Sequence, residues 1–500
     1  MILFFVALGL LLRLFLLFRP GHLFGITEYD DGVYFGAALR LTQGIVPYKD
    51  YVLVQPPGIA VLFSPLAFLA RVIGTSNGMA VVRFITVAVD CANIALVGRL
   101  VRSRGRTAVA AGCAVMALYP EAIASSQTLL LEPYLVFFIL VGLVLCFESF
   151  HFRDSRALVF FGGISFGLAG SIKAWAIIPA LAVFVISIFA PRSSHPGKPL
   201  PFLTGTVVGF CAVALPFFLL APKAFVSQTI TDQLTRESGA RVAMQARLMD
   251  ITGSNPFTWL VGHSKTVVLV LSLIWLAVLA LAVLRTVMDF TSLSVSVIAC
   301  AILVFIALLW PSDFYYHYAE FEAPFLALTL AAAVSSSQHE WWDFERGGRR
   351  VVAFIAMLTV AITALQLFYE SSISPAAQPS KLADAAIPAG SCVVTDQVSL
   401  LIVSNRFFAS SPTCPKMLDP YGTALALSGG KTIDGGAQFN GKVTANWLSA
   451  LESAQFVWLT PQNTRRVPWT AETKSYFDGH FGLAASFASG AGEIYQRVGG

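Results

Sequence analysis

Two adjacent carboxylates follow the first apolar segment of the chain. Asp30 and Asp31 stand in the run Tyr29-Asp30-Asp31-Gly32-Val33-Tyr34, and in a helix Asp30 shares a face with Tyr34. Such a pair can supply a general base that deprotonates a hydroxyl, or oxygen ligands for a divalent cation. The alternative is structural, because Asp is also favoured at a helix N-terminus by capping and by the helix dipole.

Three further ionisable residues lie in or beside apolar segments. Arg83 begins one segment, Glu132 lies about a turn inside another, and Lys173 occupies the turn Gly170-Ser171-Ile172-Lys173-Ala174-Trp175. An ionisable group in lipid is costly, so Glu132 indicates a functional site unless it is paired or reaches the interface. Arg83 and Lys173 can bind a lipid phosphate, or can anchor the chain at the interface beside aromatic residues.

Hydrogen-bonding groups on an aromatic platform occur in residues 313–322, which read Asp-Phe-Tyr-Tyr-His-Tyr-Ala-Glu-Phe-Glu. Such a platform can hold a phosphate or stack on a sugar, and Tyr316 and His317 are its candidate binding residues. An aromatic belt at the membrane interface explains the tyrosines but not His317 or the two glutamates.

The elements that must position these residues are predicted to be membrane-spanning helices. Of the 500 residues, 56% are hydrophobic and only 12% are charged. A soluble domain carries roughly twice that share of charge, so most of the chain is expected to lie in lipid. The Lys and Arg residues form short clusters rather than one basic stripe with interleaved aromatics, so a nucleic-acid partner is not indicated.

About eleven apolar segments approach the length needed to cross roughly 30 Å of hydrocarbon. The first lacks the basic start and the cleavage site of a signal peptide, and is predicted to be a span. The predicted spans are 1–18, 79–100, 107–122, 127–147, 157–172, 174–190, 202–220, 264–284, 292–309, 319–335 and 351–369.

The distribution of basic residues predicts the orientation of these spans. With Met1 in the cytoplasm, the cytoplasmic loops carry an excess of Lys and Arg, including Arg99, Arg102, Arg104, Arg106, Arg153 and Arg156. The outer face then receives the loops 19–78 and 221–263, the short loop 310–318 and the tail 370–500. Residues 59–72 are predicted to lie in the interface, because another crossing would invert every later loop.

The predicted fold class is therefore an α-helical polytopic protein of the plasma membrane. Residues 1–369 form the transmembrane domain, and residues 370–500 form a small extracytoplasmic α/β domain in which short β-rich runs alternate with helical stretches. Five of the seven cysteines fall in apolar segments, without metal-ligand spacing. Cys392 and Cys414 lie in the tail and are predicted to form a disulfide.

These residues resemble the GT-C glycosyltransferases related to aminoarabinose transferases and protein O-mannosyltransferases. The resemblance is clear over roughly the first 190 residues and looser in the Tyr/His run before the tenth span. It is carried by Asp30-Asp31-x-x-Tyr34 after a first span containing Arg13, Pro56-Pro57-Gly58, Arg83, Glu132-Pro133 and the Gly-x-x-x-x-Lys turn that ends at Lys173.

The resemblance implies a catalytic base in the first outer loop and basic residues that hold the phosphate of a polyprenyl-phosphate sugar. Carried over by motif, Asp30 is the base, and Asp31 and Glu132 shape the site or bind a divalent cation such as Mg or Mn. The implied reaction is an inverting transfer in which Lys173, Arg83 and His317 stabilise the departing lipid phosphate. Tyr34 and Tyr316 complete the predicted substrate-binding residues.

The chain departs from the aminoarabinose enzymes in the segment Gln55-Pro56-Pro57, which lacks their basic residue. This departure argues against lipid A as the acceptor. The tail, with Thr395-Asp396, Asp419-Pro420-Tyr421 and its two cysteines, resembles that of actinobacterial cell-envelope transferases, which use decaprenyl-phosphate arabinose or mannose. The acceptor is therefore expected to be a cell-envelope glycan, lipid or protein hydroxyl on the outer face.

Two functions of other classes remain open from the sequence. A transporter or flippase of a lipid-linked sugar needs polar groups along a route through the bilayer, where Asp90 stands nearly alone. Asp90 itself is predicted to form a buried ion pair with a neighbouring helix. A noncatalytic envelope-assembly protein could bind glycan through its tail. The loop 221–263, with Arg236, Arg241 and Arg247, either folds over a bound donor or is a solvated connector.

Overall fold

The computed structural model describes residues 1–189, 199–239, 241–253, 291–335, 379–461, 466–487 and 491–498, with isolated positions in 266–284 and 363–365. The predicted spans 264–284 and 351–369 lie almost entirely outside the described residues, as does the end of the predicted loop 221–263.

The chain begins with a succession of helices. Up to residue 251 they are α1 (Ile2–Leu17), α2 (Asp30–Leu41), α3 (Gly58–Ile73), α4 (Thr75–Val101), α5 (Arg106–Leu118), α6 (Pro120–Ser125), α7 (Glu132–Cys146), α8 (Arg156–Ile172), α9 (Ile177–Phe189), α10 (Pro199–Leu220), α11 (Pro222–Val226), α12 (Asp232–Leu234) and α13 (Met244–Ile251). Short 3-10 helices cover Arg102–Arg104 and Ala174–Ala176, a π-helical turn covers Ser227–Thr231, and a hairpin joins β1 (Phe147–Glu148) to β2 (His151–Phe152).

Helices and a sheet follow in the second half. The helices are α14 (Ser292–Leu309), α15 (Ala323–Ser335), α16 (Ser380–Ala386), α17 (Ser399–Val403), α18 (Pro420–Ser428), α19 (Gly441–Ser453) and α20 (Ala471–His480). The 3-10 helices are Tyr316–Phe321 and Ala437–Phe439, and the strands are β3 (Val393–Thr395), β4 (Phe456–Leu459), β5 (Phe481–Phe487) and β6 (Gly492–Arg497).

Each predicted span within the described residues coincides with a helix. Among these residues, three helices are long and apolar enough to cross a membrane, namely Thr75–Arg104, Pro199–Leu220 and Ser292–Leu309. Shorter apolar helices account for the predicted spans 1–18, 107–122, 127–147, 157–172 and 174–190. The predicted span 319–335 contains α15. Helix length therefore supports a multi-pass membrane protein. The number of spans, predicted to be eleven, stays a prediction.

Two predicted spans are shorter than expected because prolines set helix boundaries. α5 ends at Leu118, and Pro120 begins the separate short helix α6, since proline has no N–H to continue a helix. α7 begins at Glu132, five residues later than predicted at 127, with Pro133 in its first turn. Glu132 thus lies at the positive end of the helix dipole.

The chain divides into two units, each described separately below. Unit 1 comprises Met1–Leu16, Ile85–Val213 and Val242–Ile373. Unit 2 comprises Leu17–Phe84, Ala214–Arg241 and Ser374–Gly500, and so contains both the predicted first outer loop and the tail.

Unit 1 is a helical body held by close helix packing and a buried ion pair. The sequence prediction for Asp90 is confirmed, because Arg13 Nε donates to Asp90 Oδ2 at 2.6 Å and both side chains are fully buried. Helices α8 and α10 approach so closely that a Cβ at Gly167 would lie 2.2 Å from the carbonyl oxygen of Thr206. The reciprocal contact at Gly205 places a Cβ 2.1 Å from the carbonyl oxygen of Phe160. This packing through small residues is typical of helices in membranes.

Unit 2 contains a four-stranded sheet with the order β3-β4-β6-β5. β3 and β4 are parallel, and the remaining pairs are antiparallel. All four residues of β4 are buried, as expected for an inner strand with a continuous apolar run. Cys392 and Cys414, the predicted pair, form a disulfide with their Cα atoms 5.4 Å apart.

The motifs noted in the tail have structural roles in this unit. Asp396 follows β3 and accepts a hydrogen bond from the backbone N–H of Thr460, which follows β4, at 2.9 Å. Asp419 is the N-cap of α18 and accepts from the N–H of Gly422 at 2.7 Å. In the same unit α2 packs against α3 and α17.

Candidate functional site

The predicted site residues form two clusters, one within each unit. The carboxylate cluster in unit 2 contains Asp30, Asp31, Tyr34 and Arg83, and the Glu132 cluster in unit 1 contains Glu132, Lys173, Tyr316 and His317.

Asp31 is fully buried, and both of its carboxylate oxygens accept hydrogen bonds. Its Oδ2 accepts from Arg83 Nη2 at 3.0 Å and from the Thr27 hydroxyl at 3.1 Å. Its Oδ1 accepts from the Ser399 hydroxyl at 2.6 Å, which joins the first turn of α2 to α17. A Cβ at Gly32 would lie 2.3 Å from the backbone nitrogen of Ser399, so the two helices touch through backbone at this point. These contacts fix the start of α2.

Asp30 has a different environment from its neighbour. Its side chain is half-buried, and its Oδ2 accepts a hydrogen bond from the Tyr34 hydroxyl at 3.2 Å. Asp30 and Tyr34 thus share a helix face, as their spacing predicts. No other hydrogen bond to the Asp30 carboxylate is formed by the described residues. Asp30 therefore keeps hydrogen-bond acceptor capacity that the described residues do not use.

Arg83 organises the backbone that precedes α2. Its guanidinium donates to the carbonyl oxygens of Leu23 at 2.8 Å and Gly25 at 2.9 Å, besides Asp31. Its side chain is fully buried. With its donors directed at carbonyls and a carboxylate, Arg83 holds the loop that carries Asp30, and a phosphate would have to displace these acceptors.

A buried tyrosine beside Asp30 connects α2 to the tail. The Tyr29 hydroxyl donates to Asp419 Oδ1 at 2.6 Å, and the Arg466 guanidinium lies 4.1 Å from the centre of the Tyr29 ring. Burial raises the pKa of Asp419 above its ordinary value, while the hydrogen bonds from Gly422 and Tyr29 lower it and the nearby negative charge of Asp30 raises it. Asp419 and Asp30 are thus two interacting carboxyl groups in one unit.

The Glu132 cluster is a buried arrangement of one carboxylate and two basic side chains. Lys173 Nζ donates to Glu132 Oε1 at 2.5 Å, and His317 Nδ1 lies 2.9 Å from Glu132 Oε2. Glu132 is fully buried, and Lys173 and His317 are each about 5% exposed or less. The sequence prediction that Glu132 is either paired or functional is compatible with this ion pair.

Aromatic rings surround the ammonium group of Lys173. Its Nζ lies 4.2 Å from the centre of the Trp175 ring and 3.9 Å from that of Tyr318. The rings of Tyr316 and His317 meet edge to face, with centres 5.5 Å apart. An ammonium has three N–H donors, so Lys173 keeps hydrogen-bonding capacity beyond its bond to Glu132.

A resident divalent cation does not fit the predicted ligands as they stand. Both oxygens of Asp31 and both oxygens of Glu132 face hydrogen-bond donors or cationic groups. The described residues contain no group of three or more His, Cys, Asp or Glu side chains placed to hold a metal ion. A cation at either carboxylate would first have to displace Arg83 or Lys173.

Comparison with known proteins adds independent information about the fold. A family model described as dolichyl-phosphate-mannose-protein mannosyltransferase matches residues 68–227. The crystal structure of ArnT from Cupriavidus metallidurans bound to undecaprenyl phosphate is similar over 99% of this chain and 98% of that chain, with a TM-score of 0.59 and 13% identity. The chain has a GT-C glycosyltransferase fold.

A second GT-C structure gives the same result. The archaeal oligosaccharyltransferase AglB from Archaeoglobus fulgidus, in complex with an inhibitory peptide and a dolichol-phosphate, is similar over 99% of this chain and 74% of that chain. Its TM-score is 0.52 at 13% identity. No curated protein matches the chain by sequence. The GT-C resemblance inferred from the sequence motifs is thus confirmed at the level of the fold.

Within this GT-C fold, three acidic residues are buried to which the sequence analysis gave no role. Glu320 and Glu322 are fully buried in unit 1, and none of their carboxylate oxygens has a hydrogen-bond partner among the described residues. Glu121 is also buried, and its Oε2 has no hydrogen-bond partner among the described residues. The sequence indicated that Asp90 is nearly the only polar group along a route through the bilayer. The buried glutamates of unit 1 show that it is not. The sequence signal for Glu320 and Glu322 was that an aromatic belt does not explain them.

The arginines of the predicted loop 221–263 do not share one environment. Arg247 belongs to unit 1, is fully buried, and donates to the carbonyl oxygens of Leu308 at 3.1 Å and Ser312 at 2.8 Å. Arg236 belongs to unit 2, where its guanidinium lies 5.4 Å from the centre of the Tyr421 ring. Arg247 thus has a structural role in unit 1, where it links α13 to the end of α14 and the residues that follow.

Proposed function

We propose that this protein transfers a sugar from a polyprenyl-phosphate donor to a hydroxyl acceptor of the cell envelope, on the outer face of the membrane. The observation that carries the proposal is the division between two adjacent carboxylates. Asp31 is buried and bound by Arg83 and Ser399, whereas Asp30 is half-buried beside Tyr34. One carboxylate holds the helix in place and the other remains available for chemistry.

In the proposed reaction Asp30 acts as the general base. An acceptor hydroxyl attacks the anomeric carbon of the donor sugar, its proton passes to the Asp30 carboxylate, and the bond from the anomeric carbon to the phosphate oxygen breaks. The electron pair of that bond leaves with the lipid phosphate. A single displacement of this kind inverts the anomeric centre and needs no covalent enzyme intermediate.

Lys173 and His317 are proposed to stabilise the departing phosphate. Fixed N–H donors near a developing negative charge lower the barrier because they need no reorganisation during the reaction. Glu132 holds both side chains in place through its two oxygens. The contacts of Arg83 favour a positioning role for this residue, since its donors already serve Asp31 and the loop before α2.

The donor class is supported by what similar proteins bind. The matching family model describes enzymes that use dolichyl-phosphate-mannose, and the similar ArnT structure contains undecaprenyl phosphate. Both are phosphates of long polyprenyl chains. A hexose such as mannose agrees with the family model, and we propose no closer definition of the sugar or of the acceptor.

The experiment is sugar transfer by the purified full-length protein from a panel of synthetic polyprenyl-phosphate sugars. Hexose and pentose donors are compared with the matching nucleotide sugars, which lack the lipid. Transfer from a lipid-linked donor alone supports the proposal and names the sugar. Transfer from nucleotide sugars alone, or donor binding without turnover, contradicts it, and the latter result favours the noncatalytic assembly function.

Transport of a lipid-linked sugar is the second candidate. It is favoured by the fully buried carboxylates of Glu320 and Glu322 in the helical unit, because polar groups in the bilayer are typical of a transport route. Uptake of labelled lipid-linked sugar into sealed proteoliposomes separates the two functions. Uptake that persists in Asp30→Asn, without formation of a glycosylated product, identifies a transporter.

A further inference from the structure

A polar cavity of about 50 Å³ lies in unit 1, lined by residues from the end of α4, the end of α7 and the β1–β2 hairpin. A single buried water needs about 10–15 Å³ measured in this way, so the cavity can hold a group of several heavy atoms. Its charged lining residues are Arg99, Arg102, Glu148 and Arg153. None of them belongs to the carboxylate cluster or the Glu132 cluster.

The charge of this cavity is positive and only partly neutralised. Arg153 Nη1 pairs with Glu148 Oε2 at 3.0 Å, but Arg153 Nε is buried without a hydrogen-bond partner among the described residues. Arg99 and Arg102 have exposed side chains, and neither forms an ion pair within the described part of the chain. Within the described part of the chain, these three cations therefore share one carboxylate.

The hairpin that lines the cavity is held in an unusual backbone conformation. Ser149 and Phe150 have φ angles of 46° and 71°, a region that residues other than glycine rarely adopt. Phe150 is buried, its ring lies 4.2 Å from the Arg104 guanidinium, and its carbonyl accepts from the N–H of Leu293 at 3.0 Å. The surrounding contacts thus maintain the strained turn, which is typical of binding sites.

We propose that this cavity binds a phosphate group, either the headgroup of an anionic lipid or a free phosphate. A phosphate balances the charges of Arg99 and Arg102 and adds to the partial neutralisation of Arg153 by Glu148. The distribution of basic residues predicts that these loops are cytoplasmic, where basic pockets between helices bind anionic headgroups. The proposed transfer reaction does not use this site.

The test uses delipidated full-length protein in detergent. Native mass spectrometry measures retention of phosphatidylglycerol, cardiolipin and the zwitterionic phosphatidylcholine, and thermal unfolding measures the effect of inorganic phosphate against chloride at equal ionic strength. The variants are Arg99→Gln/Arg102→Gln and Glu148→Gln. Arg106→Gln is the matched control, because Arg106 is an exposed arginine that follows the same loop and does not line the cavity.

The proposal predicts effects of opposite sign for the two variants. Loss of both arginines weakens binding of the preferred ligand roughly tenfold to thirtyfold, Glu148→Gln tightens it, and Arg106→Gln changes it less than about twofold. Preferential retention of anionic lipid identifies a headgroup site, and stabilisation by inorganic phosphate alone with the same variant pattern identifies a free-phosphate site. No preference for either ligand, or an equal loss in Arg106→Gln, overturns the proposal.

Discussion

Asp30 and Asp31 are neighbours in the chain, yet their carboxylates meet opposite environments. The Asp31 carboxylate is buried between Arg83 and Ser399, at 3.0 and 2.6 Å, and the Asp30 carboxylate is half-buried beside the Tyr34 hydroxyl at 3.2 Å. Successive residues of a helix point about 100° apart, so one faces the interior of unit 2 while the other remains accessible. This division underlies our proposal that Asp31 positions α2 and that Asp30 takes up the proton.

The Glu132→Gln substitution is expected to destabilise unit 1. It leaves Lys173, which is almost fully buried, without its carboxylate, and loss of one partner of a buried ion pair costs about 3–5 kcal/mol of unfolding free energy. Thermal unfolding of the purified protein in detergent measures the loss. Glu148→Gln is the control, because the Glu148–Arg153 pair is solvent-exposed and contributes less than about 1 kcal/mol. Equal stability of the two variants contradicts the assignment.

The contact between α8 and α10 predicts different outcomes for two glycines of the same helix. In Gly167→Ala the new methyl group meets the carbonyl oxygen of Thr206, and overpacking of this kind costs about 1–3 kcal/mol. In Gly170→Ala the nearest atom belongs to the Phe210 ring at 3.5 Å, so stability stays equal or rises slightly. Thermal unfolding midpoints distinguish them, and a Gly170→Ala protein as unstable as Gly167→Ala refutes this packing.

The pKa of Asp419 gives a prediction for pH dependence. Burial raises this pKa in the folded protein, so folding favours the protonated acid. The resulting penalty on stability is absent below the ordinary Asp pKa of about 3.9 and develops as pH rises through the folded value. Asp419→Asn keeps an N-cap acceptor for α18 and removes the charge. It is expected to raise the unfolding temperature at pH 7.5, with a smaller gain at pH 4. A constant difference between these pH values contradicts the prediction.

The hydrogen bonds of the predicted metal ligands suggest a reaction that needs no added cation. Asp31 and Glu132 each direct both oxygens at protein donors, and Arg83 or Lys173 occupies the place of a positive ion. We expect sugar transfer to change less than about twofold in EDTA. Loss of transfer in EDTA, with recovery in Mg or Mn, would show that a cation displaces one of these basic groups during the reaction.

Local patterns in the sequence identified the important ionisable residues, but they did not identify the partners of these residues. Hydropathy identified the helical segments, and the cost of a charge in lipid correctly indicated that Asp90 is paired. The same argument gave Glu132 two alternatives, and only the structure shows Lys173 and His317 bound to its two oxygens. Spacing along the chain carries no information about such contacts between helices.

The roles of Asp31 and Arg83 depend on contacts that no local pattern contains. Ser399 lies 368 residues from Asp31, and the Asp419 partner of Tyr29 lies 390 residues away. The sequence therefore grouped Arg83 with the phosphate-binding cations, because a basic residue at that depth can bind a phosphate or hold the chain in place. The structure surrounds Arg83 with carbonyl oxygens and Asp31, which favours a role in positioning.

Sugar transfer from a polyprenyl-phosphate donor by the wild type, Asp30→Asn and Tyr34→Phe tests whether Asp30 is the general base. All three proteins are first checked for folding and donor binding. We expect Asp30→Asn to bind the donor normally and to lose transfer by about 10²- to 10⁴-fold, the usual contribution of a general base. Tyr34→Phe, which removes the hydrogen bond from the Tyr34 hydroxyl to Asp30, is predicted to retain most of the activity. Wild-type transfer by a folded Asp30→Asn protein would show that Asp30 is not the general base.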